Sequence, residues 1–315
     1  MIPVTPEATV VIPTRNRWPL LSHAVRGALG QEDVLVEVVV VDDGSTDETP
    51  RRLDDLKDDR LRVLRNERCL GVAATRNRGI AAARGEWVAF LDDDDLWSPR
   101  KLRAQLDAAL AEDRSWAYAA GVLLDQSRRV VRHLPAPSPG VLELELLKAN
   151  VMPGGSSNVV VRRALLDLVG GFDEELSQLA DWDLWLRLSL TERPAALHET
   201  LVAYLGHSAN MLVAQEGGLL RELEYLDAKH RAARAARGVE LDRVRFVHFI
   251  AFGHRRAGRR WTAARIYFQG ALTHRSPGSL LRAGGALAGE RAMAIGSRLS
   301  GHGAPPVPLW LEIYR

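Results

Sequence analysis

Apolar and polar positions alternate in blocks along the first two hundred residues. Thr9-Val10-Val11-Ile12-Pro13 is a short apolar run stopped by proline, the pattern of a buried strand. Leu20, Leu21, Ala24, Val25 and Ala28 then recur at helical spacing, and Gly30 marks the end of that helix. Val34 to Val41 predicts a second strand, Glu48 to Leu56 a helix, and Leu61 to Leu64 a third strand. Small residues from Ala73 to Ala83 predict a helix closed by Gly85. A fourth apolar run, Trp87 to Leu91, breaks off into Asp92-Asp93-Asp94-Asp95. Strands alternating with such crossovers predict a single mixed, mostly parallel sheet flanked by helices, an α/β fold.

Further along, 99–112 reads as a helix, and Trp116–Val122 and Val130-Val131 as strands of a smaller antiparallel part. Leu142 to Leu147 reads as helical, and Pro153–Ser157 as the opening of a strand over Asn158–Val161. Trp182, Trp185, Leu186 and Leu188 give a helix with a broad apolar face. Helices are expected over 216–237, 240–257, 259–273 and 278–298, with Val307–Tyr314 as a docked strand or tail. The expected division is an α/β domain over 1–214 and a helical, basic region over 215–315.

Charge sharpens that division. Residues 215–315 hold 17 Lys+Arg against 8 Asp+Glu, or +9, while 1–214 holds 25 against 32, or −7. The C-terminal arginines fit a solvated face, a contact with anionic lipid, or a homodimer surface; nucleic acid is disfavoured because no platform of stacking aromatics accompanies them. The single cysteine, Cys69, excludes an internal disulfide and points to a reducing compartment. Neither a signal-peptide pattern at the N-terminus nor an apolar window of about 18 residues is present, so a cytoplasmic protein, at most peripheral to the inner membrane face, is expected.

The chemistry collects where strands end. In such sheets ligands bind beyond the carboxyl ends of the strands, and three of those ends carry Thr14-Arg15, Asp42-Asp43 and Asp92–Asp94. No GxGxxG follows the first strand and no GxxxxGK[ST] occurs, which disfavours dinucleotide and P-loop enzymes. Side chains alternate in an extended chain, so Asp92 and Asp94 share one side, a pair suited to a hard dication carrying phosphate. The bland alternative is an acidic turn, with Asp95 capping the following helix.

At this point the residues carry a resemblance. Val10–Arg17, Val39–Asp47 and Gly85–Asp95, with Gly71, Ala74, Arg76, Asn77 and Gly79 between them, resemble family 2 glycosyltransferases of the GT-A fold over residues 9 to about 210. The resemblance implies inverting transfer of a sugar from a nucleotide diphosphate sugar, assisted by Mg2+ or Mn2+. It implies that Pro13, Thr14 and Arg15 line the base pocket and that Asp43 meets the nucleoside. Arg76 falls either near the base or ribose, or on a solvated helix face. Asp92 is implied toward the ribose and Asp94 toward the metal, with Asp93 sharing either duty. His207 is either close to the diphosphate or metal, or a surface residue. Asp181 falls on the general-base position at a helix N-terminus, where an N-cap is the alternative role; Asp183 is the fallback. The family's preceding glutamate is Ala180 here, which opens a non-catalytic, nucleotide-sugar-binding reading. A nucleotidyltransferase is a second alternative. Acceptor identity stays open, lipid-linked and natural-product acceptors included, and Gly170–Glu174 is the loop implied to border it.

Overall fold

The computed structural model describes residues 5–206, 216–287 and 307–314. Among them nine strands form one mixed sheet in the order β3-β2-β1-β4-β8-β6-β9-β5, with β7 paired to β6. The strands are β1 Ala8–Thr14, β2 Val36–Asp42, β3 Leu61–Arg65, β4 Trp87–Phe90, β5 Leu96–Trp97, β6 Trp116–Leu124, β7 Val130–Leu134, β8 Val160–Arg162 and β9 Ala195–Leu205. The half read from the alternating pattern, β3-β2-β1-β4, is parallel. Beyond β4 the sheet continues through antiparallel β8 and β6, and then β9, which runs parallel to β6.

Helices α1 Trp18–Leu29, α2 Thr49–Asp55, α3 Val72–Ala82, α4 Lys101–Ala111, α5 Pro139–Lys148, α6 Arg163–Val169 and α7 Ala180–Thr191 cover the sheet. One apolar layer packs α1 and α4 against it, and the other packs α3, α5, α6 and α7. Both faces of β1, β2 and β4 are therefore buried, which is why these strands read as unbroken apolar runs. Helix α3 lies close on β1 because Gly79 faces Val11; a methyl there would collide with the valine side chain.

Four expectations need correction. Residues 155–158 form a 3-10 turn, not a strand opening, because Asn158 turns inward and bonds the backbone of Ala119 and Pro153. The helix expected over 216–237 is two, α8 Glu216–Lys229 and α9 Arg231–Arg237, broken where the buried His230 reaches Asp183. The tail, Leu309–Tyr314, is a 3-10 helix rather than a strand. Asp95 caps no helix: α4 starts at Lys101 without a side-chain cap, and Asp95 is buried in the loop.

The C-terminal region continues as α10 Arg243–Arg256 and α11 Arg260–His274, then a helical stretch over 277–287. The remainder of the last expected helix, 288–298, lies outside the described residues. Composition separates the region at 214/215, but packing does not. Leu219, Leu223, Leu226, Phe246 and Ile250 join the core cluster that contains α5 and α7.

Candidate functional site

Three loops meet at the carboxyl ends of β1, β2 and β4. Asn16, in the left-handed region at φ 55°, accepts from the Thr46 and Asp47 amides at 2.7 and 3.3 Å, and its own amide donates to Ser45 Oγ at 2.8 Å. This stitches the loop after β1 to the loop after β2. Asp43 ties the loop after β2 to the loop after β3: its carboxylate accepts from Asn66 Nδ2 at 2.7 Å, Leu70 N at 2.8 Å, Gly71 N at 3.0 Å and Cys69 Sγ at 3.1 Å. Burial raises its pKa, but those donors outweigh burial and leave it below the usual carboxylate range. Asp43 thus shapes the loop leading into α3, with its acceptor positions already filled.

The four aspartates do not behave alike. The Asp92 amide donates to Ser157 Oγ at 3.0 Å, and that hydroxyl donates to Asp95, whose other oxygen accepts from Leu205 N at 3.0 Å. Asp95 therefore anchors the acidic loop to the sheet, while its neighbours face the chemistry. Asp93 accepts from Thr14 Oγ1 at 2.7 Å and from Arg17 Nη1 at 3.2 Å; the same nitrogen reaches Asp94 at 2.9 Å. Burial, and after it the neighbouring Asp94 charge, push Asp93 up to about 7 despite Arg17. Asp92 pairs with Arg76, whose guanidinium lies 5.2 Å from the centre of the Phe172 ring. Arg76 is buried, which removes the solvated-face reading.

Three of the four carboxyls, Asp92, Asp93 and Asp94, thus face two guanidinium partners, Arg17 and Arg76, in a confined loop. That surplus of acid, with Asp92 and Asp94 on the outer side, fits a hard dication completing its shell with water and phosphate oxygen. Among the described residues no set of three or more His, Cys, Asp or Glu forms a ready-made cage.

Asp181 sits in the first turn of α7, its carboxylate accepting from the Trp182 amide at 2.6 Å. It is half-buried, and loss of solvation pushes it up to about 6, against the opposing pull of Arg76. Gly155 of the 3-10 turn neighbours Asp181: a methyl there would lie 3.5 Å from Asp181 Oδ2, at ordinary contact distance. One short turn, 155–158, therefore bonds the acidic loop through Ser157 and borders the base candidate at Gly155. The entry to α7 is fixed from the C-terminal region: Glu222 of α8 accepts from the Gln178 and Leu179 amides at 2.8 and 2.9 Å. Asp183 is no substitute base and does not face solvent. It is fully buried against Arg187, Lys229 and His230, which hold it down at about 2 against the effect of burial.

The structure thus brings together Thr14, Arg76, Asp92, Asp93, Asp94 and Asp181. Pro13 is buried within β1, and Arg15 is exposed at the loop. His207 lies outside the described residues. Sequence reading passed over Arg17, Ser157 and Glu222 as participants. Arg17 was hidden because strand alternation does not carry through the left-handed Asn16. Ser157 and Glu222 reach the site only through tertiary packing.

Comparison with known proteins bears on these residues. The model of "Glycosyl transferase family 2" matches residues 9–169. The succinoglycan biosynthesis protein ExoO of Rhizobium meliloti (strain 1021) is 43% identical over 104 residues, spanning 33% of this chain and 30% of ExoO. The Escherichia coli UDP-Glc:alpha-D-GlcNAc-diphosphoundecaprenol beta-1,3-glucosyltransferase WfgD is 28% identical over 180 residues, spanning 57% of this chain and 68% of WfgD. The crystal structure of S. aureus TarS 1–349 in complex with UDP-GlcNAc superposes with a TM-score of 0.55 at 18% identity, covering 85% of this chain and 73% of that one, a likeness of fold.

Proposed function

The chain belongs to glycosyl transferase family 2, and from that premise we propose that it transfers a sugar, with inversion, from a nucleotide diphosphate sugar to an acceptor hydroxyl. The observation that carries the proposal is Asp181, half-buried and pushed up to about 6, electrostatically coupled to Arg76 and Asp92. A carboxylate of raised basicity at the edge of an acidic, phosphate-suited loop is what a single displacement needs. The acceptor oxygen forms its bond to the anomeric carbon as the bond to the diphosphate oxygen breaks. The acceptor proton passes to Asp181, and the electron pair leaves with the diphosphate.

Asp92 and Asp94 would hold Mg2+ or Mn2+, which when bound supplies positive charge to the leaving diphosphate. Arg17 fixes Asp93 and Asp94, and Thr14 fixes Asp93, so the acidic loop is set before substrate arrives. The loops braced by Asn16 and Asp43 lie where the nucleoside would rest, with Pro13, Thr14 and Arg15 on one side and Arg76 on the other. The name of WfgD, which specifies a UDP-glucose donor and a diphosphoundecaprenol-linked acceptor, favours a uridine nucleotide and a lipid-linked acceptor.

Thermal-shift screening of nucleotide diphosphate sugars with and without Mn2+ identifies the donor, since ligand binding raises the melting temperature. Transfer is then monitored with that donor. Release of nucleoside diphosphate supports the reading; release of pyrophosphate assigns a nucleotidyltransferase, and donor binding without either product assigns a non-catalytic binder.

A further inference from the structure

Residues 243–287 contain nine arginines and no aspartate or glutamate. They fold as α10, α11 and the helical stretch 277–287, packed on one another through Ala251, Ala263, Ala264, Tyr267, Ala283 and Ala286. Those small residues satisfy the inner faces. The outward side of α11 then carries Trp261, Arg265, Phe268 and Leu272, residues three and four apart and so on one stripe. Trp261, Phe268 and Leu272 are 69%, 48% and 66% exposed, and Leu281 of the next helical stretch is 80% exposed. Arg259, Arg260 and Arg265 flank or interrupt the stripe and are also exposed. The Arg260 guanidinium lies 5.8 Å from the centre of the Trp261 ring.

We propose that α11 and its flanking arginines are a docking face for an anionic lipid bilayer. A water-exposed stripe of Trp, Phe and Leu has no folding benefit, but it gains free energy by entering the headgroup–acyl boundary. Arginines beside it find anionic headgroups there; 243–287 contributes no acid of its own, and the ion pairs of Arg243 and Arg245 with Glu224, Asp227 and Glu145 lie in the first turn of α10, not on α11. No helix among the described residues is long and apolar enough to cross a membrane, so the contact is peripheral.

The face is mechanically tied to the candidate site. Arg243 of α10 bonds Glu224 and Asp227 of α8 at 2.6 and 2.9 Å, and α8 carries Glu222, which fixes the entry to the Asp181 helix. A bilayer bound at α11 thus holds the site in a set orientation to the lipid surface. The docking does not depend on sugar transfer, and its test needs no turnover.

The full chain is centrifuged with vesicles of phosphatidylcholine alone, or with one quarter phosphatidylglycerol. It should pellet with the anionic vesicles, weakly or not at all with the neutral ones, and less as salt rises. The triple changes Arg259→Gln/Arg260→Gln/Arg265→Gln and Trp261→Ala/Phe268→Ala/Leu272→Ala should each lower vesicle affinity at least about tenfold. All six positions are exposed, so melting temperature should hold and exclude misfolding. Pelleting equal with both vesicle types, or with neither, overturns the proposal. A dimer in light scattering that the apolar triple dissociates, with no vesicle binding, assigns the face to a second copy instead.

Discussion

Asp181 has a carboxyl pushed up to about 6, while an ordinary aspartate titrates at about 4. As a general base it must be deprotonated, so kcat/KM should fall about tenfold per pH unit below about 6 and level off above it. The stability sign is opposite. The folded state binds the proton more tightly than the unfolded chain, so this group's contribution falls as pH rises from about 4 to about 6. Asp181→Asn should therefore cut transfer by ~10²–10⁴ while raising the melting temperature at neutral pH, with donor binding retained. An unchanged transfer rate removes Asp181 as base; melting curves of the two proteins that coincide at neutral pH remove the buried charge. Arg17 supports a second experiment at this scale. Arg17→Ala leaves Asp93 and Asp94 without that partner and should destabilise the protein by about 1–3 kcal/mol. Mn2+ should recover part of the loss, because the added charge replaces the guanidinium. If thermal shift finds no Mn2+ response in either protein, Asp92 and Asp94 hold no dication.

Helix α7 shows how one element serves two ends. Its first turn presents Asp181 and also carries Asp183, buried and satisfied by Arg187, Lys229 and His230. Two aspartates two residues apart end with opposite pKa directions because burial outweighs the pull of Arg76 at Asp181, whereas the hydrogen bond from His230 and the charges of Arg187 and Lys229 outweigh burial at Asp183. The helix is aimed by Glu222, which satisfies two amides at its entry. Glu222→Ala should cost about 1–2 kcal/mol and lower kcat more than donor affinity, since it frees the base without touching the nucleoside loops. Urea unfolding and steady-state kinetics check both, and Glu222→Gln should recover much of the loss. The 3-10 turn at 155–158 plays the matching part for the acidic loop. A turn of four residues was not legible as such: Pro153-Gly154-Gly155 signals a break, but only the inward bonds of Asn158 curl the chain into a turn there.

At the scale of the whole molecule the chain closes on itself. Leu311 and Tyr314 bury against Leu96, Val122, Leu124, Ala203 and Leu205, and Tyr314 Oη donates to the Trp97 carbonyl at 2.8 Å, just past the aspartates. Trp310 Nε1 bonds the Thr200 carbonyl at 2.8 Å. Gly27 of α1 makes room for the tyrosine; a methyl at that position would collide with its hydroxyl. Deleting 307–315 should cost about 2–5 kcal/mol through lost apolar burial. Gly27→Ala should destabilise the full chain by about 1–3 kcal/mol and be nearly neutral in the shortened one. Additive effects in denaturant melts would mean the tail does not occupy this groove.

Residue order alone established the parallel half of the sheet and the acids at its edge. Apolar runs buried on both faces leave a pattern that needs no partner to be read, and a strand cannot run on through four aspartates. It also carried the family resemblance that Asp92, Asp94 and Asp181 rest on. What each acid became was set by the folded arrangement. Asp93 and Asp95 are adjacent in charge and type, yet one meets Arg17 and the other a serine and a backbone amide from distant segments. Asp43 and Asp183 are both held low, by loop donors in one case and by His230, Arg187 and Lys229 in the other. A carboxyl's protonation depends on the dielectric and the donors around it, and those arrive from residues tens to more than a hundred positions away. Local pattern fixes where an acid can emerge; only folding fixes what it meets there.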